Sequence, residues 1–325
     1  MELRIIVLIS ILFFVILPLE IFGQKTKIAI SSNTGEFNSF DFVALADVPY
    51  NTQSEEKFIK LISRINAIQP ASVFFLGDYK SSKTPCDSII DQKMLRYFSE
   101  FTPPVIYTPG DNEWTDCIDK NEKSDGSFPI KRLQLIRALF FQSDSSMGIN
   151  KIHLDRQSNL NGFRDYPENI FFITNNVAFS TVHIVGSNNN LGMEQLKINE
   201  YYNRAVADSV WLDLSFMRAV ESNTSAMVIC IHADMFYPDK GRSGFIRFLS
   251  QLQDCASKYG KPILLINGDS HQFLIDKPLK NSKNKVFNNF TRVQVFGEEE
   301  VGAVGIHVDI NTQQIFSFYQ IIINE

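Results

Sequence analysis

The chain has 325 residues, with 31 Lys+Arg against 36 Asp+Glu for a formal charge of −5, and is 44% hydrophobic and 21% charged. That balance excludes a disordered chain, and an acidic sequence without a basic run excludes a grip on a nucleic-acid backbone. With only five His and four Cys, any metal site must draw heavily on carboxylates.

Residues 5–19, IIVLISILFFVILPL, form an apolar run without a charge, preceded by Glu2 and Arg4. The run is short of the roughly 20 residues a membrane span needs. It reads as a signal peptide over residues 1–23, with Pro18 breaking the helix and cleavage expected at Gly23–Gln24. Secretion or periplasmic export follows, and an uncleaved anchor over residues 5–22 is the alternative. No stable membrane partner is expected unless that segment is retained. No linker-like break follows, so residues 24–325 are expected to be one domain. An oxidising destination makes cysteines worth pairing. Cys86 and Cys117 lie in polar loop sequence, KTPCDS and WTDCID, and a bridge between them would contribute about 3–4 kcal/mol. Cys230, in the apolar run MVICIH, and Cys255, in a helical segment, read as buried free thiols. Asn223 and Asn289 begin glycosylation sequons.

The elements then follow in order. Asp41-FVALA-Asp47 is a short buried strand. Ser54 to Ile68 carries Phe58, Ile62 and Ile65 at helical spacing, with Ser54 as cap and Pro70 as stop. Ala71 to Asp78 and Pro104 to Asp111 are further strands, and 130–141 is a helix. Ile170 to Val185 reads as a hairpin around Asn175-Asn176. A long helix is expected over 194–220, a strand over 226–231, a helix over 243–258 stopped by Gly260, a strand over 262–268, and two or three strands between Thr291 and Ile323. The βαβαβ opening argues a sheet with outer helices, joined by antiparallel strands.

Five apolar strands each end in a metal-binding residue type: Asp47, Asp78, Asp111, His232, and the pair Asp269/His271. Ligands gather beyond the carboxyl ends of strands in open α/β sheets, so these side chains are expected to converge. Four carboxylates in one cleft repel one another strongly unless cations sit among them. Oxygen together with imidazole suits Mn, Fe or Zn rather than calcium.

At these residues the sequence resembles the calcineurin-like metallophosphoesterase superfamily, which includes the purple acid phosphatases. The blocks are ADVPY (46–50), GDYK (77–80), GDNE (110–113), ICIH (229–232) and GDSH (268–271), in the family's order. The strings PGDNEWTDC, IVGSNNN and INGDSHQFLIDKPL resemble a secreted bacterial-type branch. The resemblance implies an α/β fold, a four-layer αββα sandwich with mixed sheets. It also implies a centre of two divalent ions about 3.5–4 Å apart. Asp47 matches a first-metal ligand, Asp78 the bridging carboxylate, Asp111 and His232 second-metal ligands, and His271 a first-metal ligand. Asp269 stands where a further histidine is usual. Departures are visible too: Pro49 replaces the motif-one histidine, Ser81 a tyrosine, and Asn112 the histidine that serves the leaving group. Asn can hold a phosphate oxygen but supplies no acid. Carboxylates at Asp111 and Asp269 make the site harder, favouring Mn or Mg over Zn.

The expected activity is metal-dependent phosphoester hydrolysis on a phosphorylated small molecule or glycan, with Asp78 and Asn112 catalytic. A catalytically impaired phosphate- or glycan-phosphate-binding protein is the alternative. Lys80, Asn188 and Asn189 are candidate substrate contacts, against readings as a solvated lysine and a turn. Asp41 reads as a solvated turn residue and Glu113 as a first-turn helix acid, with a supporting role behind the ligands as the alternative. His183 reads equally as a core or a pocket residue, His307 as a sheet-face residue, and Tyr50 and Trp114 as packing.

Overall fold

The computed structural model describes residues 39–118, 126–237 and 243–323; the expected signal segment lies outside them. Residues from Phe37 onward form one compact unit. Its twelve described strands make two sheets: five strands in the order β12-β11-β1-β2-β3, and seven in the order β4-β5-β6-β7-β8-β10-β9, with β4 (Asp155–Arg156) and β9 (Leu274–Asp276) at the two edges of the second.

The first sheet is built on three short parallel strands, β1 (Ser39–Leu45), β2 (Val73–Phe75) and β3 (Val105–Tyr107). Antiparallel β11 (Gly302–Asp309) and β12 (Phe316–Ile322) extend it on the β1 side. In the second sheet, β6 (Val177–Thr181), β7 (Ala226–Cys230), β8 (Ile263–Asn267) and β10 (Phe290–Gln294) run parallel. The hairpin of β5 (Ile170–Thr174) and β6 turns on Asn175 and Asn176, both at positive φ (45° and 60°). That is the backbone a tight hairpin requires and that Asn tolerates.

Strand alternation sorts the core into three slabs. Val43, Leu45, Val73 and Phe75 face α1 (Thr52–Ile68), α2 (Ser88–Glu100) and α3 (Ser127–Phe140). Their neighbours Phe42, Ala44 and Phe74 face the second sheet, meeting Phe179, Val228, Leu264 and Val293. On that sheet's far side, Met227, Ile229 and Leu265 pack under α5 (Gln195–Glu221) and α6 (Ile246–Tyr259) with Trp211, Leu212 and Leu252. The order is helix, sheet, sheet, helix. Between the sheets, Phe172 and Phe179 stack at 5.0 Å and Phe42 meets Phe179 edge-on at 5.2 Å.

Helix boundaries follow local chemistry. Asn51, not Ser54, caps α1, and Ser54 closes the reciprocal capping box three residues on. Helix α6 ends at Gly260, where φ is +68°. Helix α2 is not among the expected elements, yet its pattern of Asp87 as cap and Met94, Tyr97 and Phe98 buried is a regular amphipathic one. Asp41 corrects the solvated-turn expectation. It lies inside β1, 2.5 Å from Nδ1 of His307 across the strand pair, and accepts a hydrogen bond from the Tyr319 hydroxyl at 3.1 Å.

Candidate metal centre

The carboxyl ends of β1, β2 and β3 in one sheet, and of β7 and β8 in the other, open at the same edge. Asp47, Asp78, Asp111, His232, Asp269 and His271 leave these ends and come together there. Ligand atoms of Asp47, Asp78 and His232 lie within 4.8 Å of one another, as do those of Asp111, His232 and Asp269. Two overlapping groups therefore share His232. His271 joins the first, its Nε2 3.4 Å from Asp47 Oδ1. Above them is an open cleft of about 490 Å³, lined by Tyr50, Asp78, Asp111, Asn112, Asp269 and His271, with Ser81, Ser82, Lys83 and Glu298 at its sides.

The backbone at these strand ends is bent sharply. Asp47, Asp78, Asp269 and His271 have φ of 60°, 56°, 75° and 57°, a region non-glycine residues rarely adopt. The turns are close enough that only glycine fits beside them. A Cβ on Gly110 would lie 2.1 Å from Asp78 Oδ1, and one on Gly77 would lie 2.3 Å from the Gly110 nitrogen. The Gly-Asp pairs thus bring one carboxylate against the next loop's backbone.

Hydrogen bonds fix the ligands. Nδ1 of His232 is 2.6 Å from the Leu76 carbonyl, which must be a donation from the ring and leaves Nε2 as the atom aimed at the acids. Nε2 lies 2.9 Å from Asp111 Oδ1 and 3.5 Å from Asp78 Oδ1. An outer nitrogen anchored on a carbonyl and an inner one turned to carboxylates is the arrangement of a metal-binding imidazole. The Asp269 carboxylate accepts from the Asp234 backbone at 2.9 Å, and Asp47 accepts from the Asp269 backbone at 3.1 Å. Asn112 donates its backbone N–H to Asp78 at 2.9 Å.

The cluster's electrostatics are those of crowded acids. Burial pushes Asp78 well above the ordinary carboxylate range, with His232 pulling against it. Burial and the neighbouring Asp111 push Asp269 up to about 7. Asp111 is held low, because the hydrogen bond and charge of His232 outweigh its own burial. His232 is raised well above its usual value despite burial, by Asp78 and by its bond to Asp111. Four carboxylates and two imidazoles held this closely fit divalent cations, whose charge would take over the balance that protons otherwise supply.

Other expected site residues are placed elsewhere. Lys80 is buried, and its ammonium donates to the carbonyls of Asn112 (2.5 Å) and Ser81 (3.0 Å). It pins the peptide carrying Asn112 and does not face the cleft; Lys83 is the lysine at the rim. Asn189 accepts from Arg204 at 2.7 Å, and Asn188 accepts from the Gly244 backbone at 3.0 Å. Both hold α4 (Gly186–Asn189), a single turn whose residues 187–189 are left-handed, and neither turns to the metal ligands. Their neighbour Ser187 does, with its hydroxyl 2.9 Å from Asp111 Oδ2 and 2.7 Å from Asp116 Oδ1.

Glu113 departs from the first-turn reading. It is fully buried and accepts from the backbone of Asp78 (3.1 Å) and Gly110 (2.7 Å) and from the Tyr107 hydroxyl (2.8 Å). One carboxylate thus ties two ligand-bearing loops together. The Cys86–Cys117 disulfide joins the same two loops, and Cys230 and Cys255 are buried free thiols. His183 is a core residue: its Nδ1 is 2.7 Å from Glu168, its ring lies against Trp114, and burial pushes it down to about 4. Tyr50 is not merely packing, since its hydroxyl sits among Asp47, Asp78, His271 and Asn112. No apolar pattern signals this, because an aromatic five residues past a strand end is ordinarily a loop anchor.

Helix, sheet, sheet and helix thus make a four-layer αββα sandwich, with metal-ligand residue groups at its strand ends. A solved structure of a dimetal phosphatase from Danio rerio superposes with a TM-score of 0.51 at 11% identity, covering 88% of this chain and 99% of that one. No family model matches the sequence, and no curated protein matches it either.

Proposed function

We propose that the chain is an exported, metal-dependent phosphoester hydrolase working on phosphorylated small molecules or glycans. The observation that carries this reading is the pair of ligand groups sharing His232 at the floor of an open cleft. The similarity of fold to a dimetal phosphatase supports it. Two divalent ions would be held by Asp47, Asp78, Asp111, His232, Asp269 and His271, with oxygen-rich ligation favouring hard metals such as Mn, Fe or Mg. Such ions, when bound, supply an activated water and stabilise charge on the phosphoryl group.

The chain's own residues do the rest. Asp78, in the first group with its Oδ1 3.5 Å from the shared His232, is assigned the carboxylate common to both ions. Asn112, on the cleft wall, presents an amide able to hold a phosphate oxygen, and Lys80 and the disulfide fix its loop. Lys83, Ser81 and Ser82 offer the rim a cation and hydroxyl donors. The Asn112 amide has no proton to give a departing alkoxide. Hydrolysis is therefore expected to favour esters whose leaving groups need no acid, such as aryl phosphates. The same residue favours the second reading, a binding protein that retains phosphate without turning it over.

The disulfide suits an oxidising compartment, and no described helix is long and apolar enough to cross a membrane. Export by the N-terminal segment is part of the proposal. The test measures bound metal, then hydrolysis of aryl and alkyl phosphate mono- and diesters, in wild type and Asp78→Ala with Mn added. Metal-dependent hydrolysis lost in Asp78→Ala is the expected result. Activity surviving that substitution would overturn the assignment of the centre, and equal aryl and alkyl rates would overturn the role given to Asn112.

A further inference from the structure

The Tyr50 hydroxyl oxygen has more polar neighbours than one proton can serve. It lies 3.5 Å from Asp47 Oδ1, 3.3 Å from Asp78 Oδ2 and 3.3 Å from His271 Nε2, and it accepts from the Asn112 amide at 3.1 Å. The first three distances are long for hydrogen bonds from a hydroxyl, which cluster near 2.7–2.8 Å. They are, however, the spacing of donor atoms around a shared cation. His271 Nε2 is also 3.4 Å from Asp47 Oδ1, so four of the six edges of the Tyr50–Asp47–Asp78–His271 tetrahedron measure 3.3–3.5 Å. Donor atoms that share one ion through bonds of about 2.0–2.1 Å are spaced in this way.

The rest of the chain holds the ring in that place. The Tyr50 backbone N–H donates to Ser54 Oγ at 2.9 Å, where the capping box of α1 begins, and the ring meets His271 edge-on at 5.5 Å. Val48 and Pro49 have no side-chain donor atom to offer, so Tyr50 is the next side chain of this loop after Asp47 that can hold the first ion.

We infer that Tyr50 is a ligand of the first metal ion, its oxygen completing a set with Asp47, Asp78 and His271, the metal taking the place of the phenolic proton. This rests on the two-metal reading above. It assigns the ion beside Tyr50 a harder, more electron-rich environment than the ion between Asp111, His232 and Asp269. It also gives Asn112 a second task, holding the phenolic oxygen by its amide.

Iron(III) is a suitable probe, since phenolate bound to it gives a visible charge-transfer band with resonance-enhanced ring vibrations. Full-length protein stripped of metal would be loaded with iron(III) as wild type, Tyr50→Phe, Tyr50→His and Asp78→Ala, with metal content and spectra recorded for each. Wild type is expected to show the band. Tyr50→Phe is expected to lose it, keep the second ion, and bind the first at least about tenfold more weakly, a loss typical even of an outer partner. Tyr50→His is expected to recover affinity without the band, which also separates ligation from any folding defect in the Phe variant. Iron-loaded wild type without the band, or a band that persists in Tyr50→Phe, would overturn the assignment. Failure of wild type to take up metal at all, read directly from metal content, would instead overturn the two-metal reading together with the ligand built on it.

Discussion

Replacing Glu113 by Gln changes one buried atom and should disturb both stability and the site. Oε1 accepts from Gly110 N and Tyr107 Oη, and Oε2 accepts from Asp78 N. A glutamine that keeps its oxygen toward the first two turns its amide nitrogen at the Asp78 N–H, donor against donor. One buried backbone donor is then partly orphaned, keeping only its longer 3.3 Å contact to Oε1, at a cost of about 1–3 kcal/mol. At roughly 2.1 cal/mol/K per residue, unfolding a unit of this size changes entropy by about 0.6 kcal/mol/K, so Tm should fall by about 2–5 °C. Glu113→Ala orphans all three donors and should cost about 3–5 kcal/mol, as loss of one partner in a buried charged network does. Because the orphaned N–H belongs to Asp78, Glu113→Gln should also weaken metal binding by about 10–100-fold. Calorimetry and metal titration of the two variants check this. A glutamine variant within about 1 °C of wild type and with unchanged metal affinity would refute the claim that Glu113 sets the position of Asp78.

Three further outcomes follow from other parts of the molecule. Removing the disulfide by Cys86→Ser with Cys117→Ser, which opens a loop of 31-residue separation, should cost about 3.5–4 kcal/mol by loop-closure entropy; denaturant titration that finds no loss would show the two loops to be held by Glu113 alone. Asp208 is buried and pushed up to about 7, chiefly by that burial. Its raised value means stability present below the usual aspartate range of about 4 and lost as pH rises to about 7. Relative to Asp208→Asn, wild type should therefore weaken across that window, by at most about 1.4 kcal/mol per pH unit, and level off above it; thermal melts at pH 5 and pH 8 give the comparison, and a constant difference would contradict it. Adding Mn at a hundredfold excess over its dissociation constant should stabilise wild type by about 2.7 kcal/mol per site, with no comparable effect in Asp78→Ala; equal stabilisation of both in a thermal shift assay would place the metal elsewhere.

The parts of the site visible in the sequence are those where one local signal carries the information. An apolar run closed by Asp or His, with Gly before Asp78, Asp111 and Asp269, marks a strand end, and strand direction then sets which edge it faces, so these three with Asp47 and His232 can be gathered from the sequence. What the sequence hides depends on contacts between distant loops. Nothing near Glu113 indicates that its carboxylate reaches Asp78 and Gly110 rather than solvent. Lys80 and Lys83 are three residues apart in a loop, and only the bend after Asp78 decides which one turns inward. Asp41 needs the β1–β11 register to find His307. Ser187 and its asparagine neighbours exchange roles because the turn is left-handed, which no residue pattern announces. Helix α2 is a different case. Its spacing is regular, but it sits between two loops whose chemistry dominates the local sequence.

The left-handed backbone at Asp47, Asp78, Asp269 and His271 has an evolutionary consequence. Each non-glycine residue held there costs about 1–2 kcal/mol that glycine would not. Under selection for heat resistance alone, in the presence of a chelator, glycine and asparagine at these four positions should be among the first gains to accumulate. Metal in the medium would reverse that drift, because the same substitutions remove ligands. On the proposed ligand assignment, thermal stability and metal retention would therefore pull these four positions in opposite directions.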